Sequence, residues 1–240
     1  MNPLRIGSSF FIFWIDNFQD FRNLDLLSKG WVSVQDVSTG LPVLLLDPQP
    51  GETILDMCAA PGGKTGYIAE KMKGQGILLA LDRQIARQKT LRENLKRLRY
   101  SAYHIVTADS TKIPTRLIFD KILLDAPCSG FGVLSKRVDL KWKRTEHDII
   151  NMKHLQLNLL DVAASILKEG GKLVYCTCTI EPEENENNIQ QFLKKHREFE
   201  MLKINGIAPD KYIHHHFYVQ TFPHKHRMDG SFAVLLRKKR

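Results

Sequence analysis

Cys58, Cys128, Cys176 and Cys178 are the side chains of this chain best suited to covalent chemistry. A thiolate is a competent nucleophile once a cation, a cationic ligand or a helix N-terminus lowers its pKa from about 8.5. None of the four has the spacing and histidine companions of a zinc site, and a disulfide framework is not expected. Two of them follow apolar, strand-like runs. Asp125-Ala126-Pro127-Cys128-Ser129-Gly130 succeeds the run Phe119–Asp125, and Tyr175-Cys176-Thr177-Cys178-Thr179 closes the run Gly171–Cys176. If these runs are adjacent strands, Cys128 and Cys178 meet in one crevice. A lone cysteine is most often a small buried hydrophobe, the role expected of Cys176 in its strand and of Cys58 under the loop described next.

The second chemical feature is the segment Asp56-Met57-Cys58-Ala59-Ala60-Pro61-Gly62-Gly63-Lys64-Thr65. Placed between a strand and its helix, its small residues let a ligand approach the backbone and the helix N-terminus. Gly63-Lys64-Thr65, with Ile122-Leu123-Leu124-Asp125 downstream, imitates a nucleotide-hydrolase P-loop, but Cys58 stands where that loop needs its first glycine. A dinucleotide fingerprint is also incomplete, since only Gly62-Gly63 is present. Asp82 ends the next strand, where a carboxylate accepts from ribose hydroxyls. With Asp109 and Asp125 it forms a row of acids along one sheet edge, a lining suited to an adenosine ligand that carries a cationic sulfonium.

Elements must position these groups, and from Thr53 onward short apolar runs alternate with helical patterns. The strands expected are Thr53–Met57, Gly76–Asp82, Tyr103–Thr107, Phe119–Asp125 and Gly171–Cys176. The helices expected are Lys64–Lys73, Gln84–Arg99, Glu146–Lys168 and Glu184–Arg197. Such alternation predicts an α/β, doubly wound, mostly parallel sheet. His216–Thr221 and Ser231–Arg237 break the rhythm and read as an antiparallel hairpin at one sheet edge. Residues 1–50 carry Gly30, Gly40, Pro42, Pro48 and Pro50 and read as a lead-in segment packed on a 51–240 catalytic domain.

A net charge of +9 and a pI near 9.4 point to a polyanionic partner, with nucleic acid the natural candidate. The apolar stretch Phe10–Ile15 is too short to span a bilayer, is broken by Asp16 and lacks the flanks of a signal peptide. It reads as core, and the chain as a cytoplasmic protein without a membrane partner.

Several of these motifs, with Gln35-Asp36, Asp139-Leu140-Lys141-Trp142, Pro182-Glu183-Glu184-Asn185 and Asp229-Gly230, follow one another in a fixed order. In that order the chain resembles the RsmB/Sun/NSUN-type RNA cytosine-5 methyltransferases, from roughly Gly30 to the C-terminus. The resemblance implies a seven-stranded, Rossmann-like class I methyltransferase sheet and S-adenosylmethionine as cofactor. It assigns Cys58, Ala59, Ala60, Pro61, Gly62, Gly63 and Lys64, with Asp82, Asp109 and Asp125, to holding the cofactor. It makes Cys178 the nucleophile and Cys128 the group that assists release. Addition of a thiolate to carbon 6 of cytosine makes carbon 5 enamine-like, and Asp125, protonated or sharing a proton with N3 of the base, would stabilise the charge developing in the ring. The implied substrate is RNA, ribosomal RNA before tRNA.

The chain departs from the family pattern at Val138, where proline is common, and at Asp229-Gly230-Ser231-Phe232, where two aromatics are usual. Full-length bacterial relatives carry an upstream RNA-binding domain for which the sequence has no room. RNA recognition by a protein partner is therefore one expectation, and a monomer the expected state. Two other functions are open at this stage: a catalytically idle RNA-binding relative, and a P-loop nucleotide hydrolase. Lys136, Arg137, Lys141, Lys143 and Arg144 could track a phosphate backbone, with Trp142 as a stacking face. The basic residues between Arg83 and Arg99 read as a solvated helix face. Consecutive histidines at 214–216, with His224 and His226, cannot all face one ion, so no metal is expected.

Overall fold

The computed structural model describes residues 3–6, 10–13, 25–113 and 115–240. Its elements are β1 (Pro3–Ile6), β2 (Phe10–Phe13), α1 (Asp25–Ser28), α2 (Val37–Leu46), β3 (Thr53–Met57), α3 (Gly63–Met72), β4 (Ile77–Asp82), α4 (Ile85–Arg97), β5 (Tyr103–Thr107) and β6 (Phe119–Asp125). There follow α5 (Leu140–Lys143), α6 (Glu146–Ile166), β7 (Leu167–Thr177), α7 (Glu186–Lys195), β8 (Phe199–Met201), β9 (Ile213–His214), β10 (Tyr218–Thr221), α8 (Pro223–His226) and β11 (Ser231–Lys238).

Alternation along the strands builds the two larger of the three apolar clusters among the described residues. Ile54, Leu123 and Val174 enter one face of the sheet, whereas Leu55, Ile122, Leu124, Leu173 and Tyr175 enter the other. Helices α2 and α3 cover the first face through Leu41, Leu45 and Ile68, and α6 and α7 cover the second through Leu160, Ala163 and Phe192. Apolar residues on both faces of the parallel strands leave no face for water, which is why these runs read as continuous hydrophobic stretches.

Strand order is β5-β4-β3-β6-β7-β11-β10-β9, with β8 pairing on β11. Strands β3 to β7 are parallel, and β11 runs antiparallel to both β7 and β10. The doubly wound plan expected from the sequence is present, and its crevice lies where the order reverses between β3 and β6. The sheet has nine strands where seven were expected. The two extra ones, β8 and β9, are segments of three and two residues, too short for a periodic pattern; β8 pairs with the distant β11 and β9 with the neighbouring β10.

Three local corrections follow. β7 begins at Leu167 instead of Gly171, because its first residue pairs with Phe119 across an irregularity in the β6–β7 register, and α6 accordingly stops at Ile166. The hairpin's first strand starts at Tyr218 and its connection contains α8. Within the lead-in, Val37–Leu46 is a buried helix despite Gly40 and Pro42. Asp36 caps it, its side chain accepting from the Ser38 N–H. Pro42 stands within the first two turns, where its missing N–H costs a single hydrogen bond, and apolar burial offsets that loss. Strands β1 and β2 pair with each other. The core role expected for Phe10–Ile15 falls outside the described side chains. No described helix is long and apolar enough to cross a membrane.

Candidate active site

The β3–α3 loop is shaped by backbone conformations that side chains rarely adopt. Gly62 has φ +105°, and a Cβ there would meet Leu91 Cδ1 at 2.6 Å. The loop is then tied down on both sides. Ala59 N–H donates to Leu81 O at 2.7 Å, and Ala60 N–H to Asp82 Oδ2 at 3.2 Å. Gln35 Nε2 donates to Gly63 O at 3.1 Å from the lead-in. Under the loop, Asp56 is fully buried: Oδ2 accepts from Thr65 Oγ1 at 2.6 Å, whereas Oδ1 has no partner. Burial pushes the Asp56 carboxyl up to about 7.

Beside the loop opens a shallow cleft lined by Cys58, Asp82, Asp109, Ser110 and Pro127, with Leu155 and Leu159 among its apolar residues. Asp82 Oδ1 also accepts from Gln84 N–H at 2.9 Å, the one hydrogen bond at that oxygen among the described residues, and keeps a lone pair for a further donor. Asp109 is exposed at the mouth, its pKa lowered by hydrogen bonds from the Thr111 N–H and hydroxyl. Cys58 stays a thiol, since burial and then the Asp125 charge push it up to about 12. The cleft lining thus combines two carboxylates with aliphatic side chains.

Lys64 leaves the loop in the opposite direction. Its Nζ lies 2.7 Å from Asp125 Oδ2, with both side chains mostly buried. Burial works against the ammonium, yet Asp125, Cys176 and Cys178 together raise its pKa. Asp125 Oδ1 accepts from Cys176 Sγ at 3.4 Å, and the Cys176 thiol, fully enclosed in β7, is pushed up by burial.

Strands β6 and β7 end side by side, with Asp125 in register with Cys176. Their continuations bring Cys128 Sγ and Cys178 Sγ to 3.2 Å. Cys178 is exposed and its carbonyl accepts from Gly132 N–H at 3.0 Å. Its N–H points at Cys128 Sγ at 3.3 Å. The hydrogen bond from Cys128 lowers the Cys178 thiol below the ordinary value, with Lys64 contributing its positive charge. Cys128 moves the other way: that same hydrogen bond, then burial and the nearby charges of Cys178 and Glu184, raise it. The two thiols are thus displaced in opposite directions, Cys128 up and Cys178 down.

The structure therefore gathers the sequence-nominated residues into two adjoining groups. Cys58, Asp82 and Asp109 line the cleft, and Asp125, Cys128 and Cys178 stand at the neighbouring strand ends, bridged by Lys64. Ala59, Ala60, Pro61, Gly62 and Gly63 form the turn between them. Sequence reasoning missed several supports. Lys136 Nζ is held by Asp229 Oδ2 at 2.6 Å and Asp36 Oδ2 at 3.0 Å, joining the loop after Cys128 to the hairpin and the lead-in. Arg144 Nε donates to Ser129 O at 3.2 Å. These two cations are thus framework, whereas Trp142 stays 79% exposed with Lys141 Nζ 5.3 Å from its ring centroid. On α4 the solvated-face reading needs correction: Arg87 pairs with Asp82 at 3.6 Å, and Arg97 Nη1 donates to Leu27 O at 2.8 Å and Val32 O at 3.0 Å. Opposite charges in the sequence could have suggested such pairs but not which would form. Among the described residues, no group of three or more His, Cys, Asp or Glu could hold a metal ion.

Residues 43–237 match the family model described as 16S rRNA methyltransferase RsmB/F. The chain is 40% identical over 217 residues to a probable ribosomal RNA small subunit methyltransferase B of Synechocystis, and 42% identical over 215 residues to ribosomal RNA small subunit methyltransferase B of Yersinia pseudotuberculosis. Each alignment covers 88% of this chain and 48% of the relative, so the chain spans about half the length of these curated relatives. Among solved structures, NSun6 from Pyrococcus horikoshii with SFG, an S-adenosylmethionine analogue, is 32% identical with a TM-score of 0.84, covering 93% of this chain and 57% of that one. A methyltransferase homologue from the same organism is 35% identical with a TM-score of 0.79, covering 91% and 72%. The chain belongs to the RsmB/F methyltransferase family, whose methyl donor is S-adenosylmethionine.

Proposed function

We propose that this member of the RsmB/F family methylates carbon 5 of cytosine in RNA, ribosomal RNA before tRNA, through a covalent bond between Cys178 and carbon 6. The observation that carries this reading is the pair of sulfurs 3.2 Å apart at the ends of β6 and β7, beside the Lys64–Asp125 ion pair. S-adenosylmethionine, when bound, supplies an electrophilic methyl group on a sulfonium. Cys58 to Lys64, Asp82, Asp109 and Asp125 are its proposed holders. The bare Asp56 Oδ1 beneath the turn and the acid-lined cleft support that assignment.

The chain's own residues account for the remaining steps. The Cys178 thiolate adds to carbon 6 of the cytosine, and the electron pair displaced from the ring double bond makes carbon 5 nucleophilic. Asp125, fixed by Lys64, shares a proton with N3 of the cytosine, so that the negative charge displaced onto the ring is neutralised there. Once the Cys178 sulfur has become a thioether, Cys128 loses the anionic neighbour that held its proton, and it releases that proton to water. It then takes the hydrogen from carbon 5 as the carbon–sulfur bond breaks and the thiolate returns to Cys178.

Residues 51–240 are proposed as the catalytic domain and 1–50 as the lead-in seated on it. The setting proposed is a cytoplasmic monomer, with RNA recognition shared with a protein partner. The P-loop reading gives way to family membership, and its lysine is engaged by Asp125. The idle-relative reading is separated by assay. Transfer of labelled methyl to unmodified ribosomal RNA and tRNA should yield 5-methylcytidine, lost in Cys178→Ala. Bound S-adenosylmethionine and bound RNA without label in any nucleoside would leave the idle reading in its place.

A further inference from the structure

The turn Pro182–Glu184 after β7 takes no part in the steps above, yet it lies directly behind both cysteine loops. Glu184 is fully buried. Its Oε2 accepts from Ser129 N–H at 2.9 Å and from Gln156 Nε2 at 2.8 Å, while Oε1 has no partner. Gln156, also fully buried, donates to Pro127 O at 2.7 Å. The two residues flanking Cys128 thus end on Glu184 and Gln156. Those flanking Cys178 end on the next side chain, Asn185, whose Oδ1 accepts from Thr177 Oγ1 at 2.6 Å and whose Nδ2 donates to Thr179 O at 3.1 Å. The hydroxyls of Ser129 and Thr179 close the circuit at 2.8 Å.

Holding the loops does not by itself require a carboxylate, because a neutral glutamine oxygen accepts the same N–H groups, and burying an anion with one bare oxygen is costly. The charge has a use at the neighbouring sulfur. Cys178 N–H points at Cys128 Sγ, an arrangement that favours the thiolate on Cys128 and so opposes attack by Cys178. An anion buried next to Cys128 counters that bias.

We propose that Glu184 is the positioning residue of the cysteine pair: its buried carboxylate fixes the Cys128 loop against the Cys178 loop and reserves the negative charge for Cys178. This rests on the reading that Cys178 attacks. The Cys178 side-chain hydrogen bond acts first to raise the Cys128 thiol, then burial, and the Glu184 charge adds to them in the same direction.

The test is trace labelling of the full chain with iodoacetamide, resolved by peptide mass spectrometry, across about pH 6 to 10 so as to bracket a free thiol. In the wild type, label falls mainly on Cys178. In Glu184→Gln the ratio of label on Cys128 to label on Cys178 rises about tenfold, the factor for one pKa unit of relative shift. Both sites then follow a single pH curve, because they share one charge. Glu184→Asp, which keeps the charge, stays within about twofold of wild type. An unchanged ratio in folded Glu184→Gln overturns the proposal, as does Cys128 labelling with its own midpoint near that of a free thiol, about 8.5, which marks a loosened loop alone. If Glu184→Gln does not fold, a tenfold shift in Glu184→Asp overturns it equally. The assay uses neither RNA nor methyl donor. Absence of label on wild-type Cys178 would sink the nucleophile reading itself, a failure distinct from that of Glu184.

Discussion

Cys128 Sγ and Cys178 Sγ lie 3.2 Å apart although 50 residues separate them in sequence. Parallel pairing of β6 with β7 creates this proximity, and the proposed function gives each sulfur a different task, attack for Cys178 and release for Cys128.

That division predicts different phenotypes for the two alanine variants. Cys178→Ala should lose methyl transfer by at least about three orders of magnitude, as when a covalent nucleophile is removed. Cys128→Ala should still form the bond to RNA but fail to release it. A slower-migrating protein–RNA band on a denaturing gel, present for Cys128→Ala and absent for Cys178→Ala, is the expected result.

Asp56 should impose a pH dependence on stability. Its folded pKa of about 7 lies above the ordinary 3.8, so between these values the folded chain binds a proton that the unfolded chain does not. Stability from this group is therefore intact below the lower value and falls as pH rises through about 7, by up to about 4 kcal/mol. Denaturant melts of wild type and Asp56→Asn from acid to neutral pH should differ by that slope, the asparagine variant being flatter.

Gly132 is a position where backbone meets backbone. A Cβ there would lie 2.0 Å from Gly230 O and 2.7 Å from Cys178 O, none of which can turn aside. Gly132→Ala should lose the N–H bond to Cys178 O, destabilise the fold by about 1–3 kcal/mol and reduce methyl transfer. Thermal melting and the labelled-methyl assay would both register it.

Trp142 offers a flat, 79% exposed ring with a lysine beside it. Trp142→Ala should weaken RNA binding by about 1–3 kcal/mol, the usual worth of one base–aromatic stack, and leave S-adenosylmethionine binding unchanged. Fluorescence anisotropy with labelled RNA, alongside calorimetry with the cofactor, separates the two effects.

The sequence alone determined the parallel core of the fold, because strands buried on both faces must be continuous apolar runs and the helices between them must be amphipathic. Thr53–Met57, Tyr103–Thr107 and Phe119–Asp125 appear in the structure with the bounds expected. It also determined the identity of the chemical groups, since a cysteine after each of two strands and small residues after a third are local patterns. Tertiary structure decided what each group is paired with. Whether Lys64 would reach a ligand or Asp125, whether Arg144 and Lys136 would face RNA or brace the loops, and where β7 begins depend on neighbours distant in sequence. Glu184 shows the limit best: one acid in an acidic run, it becomes the buried anchor of the cysteine loops only when β7, α6 and the loop after β6 converge on it, because its hydrogen-bond partners come from three separate segments.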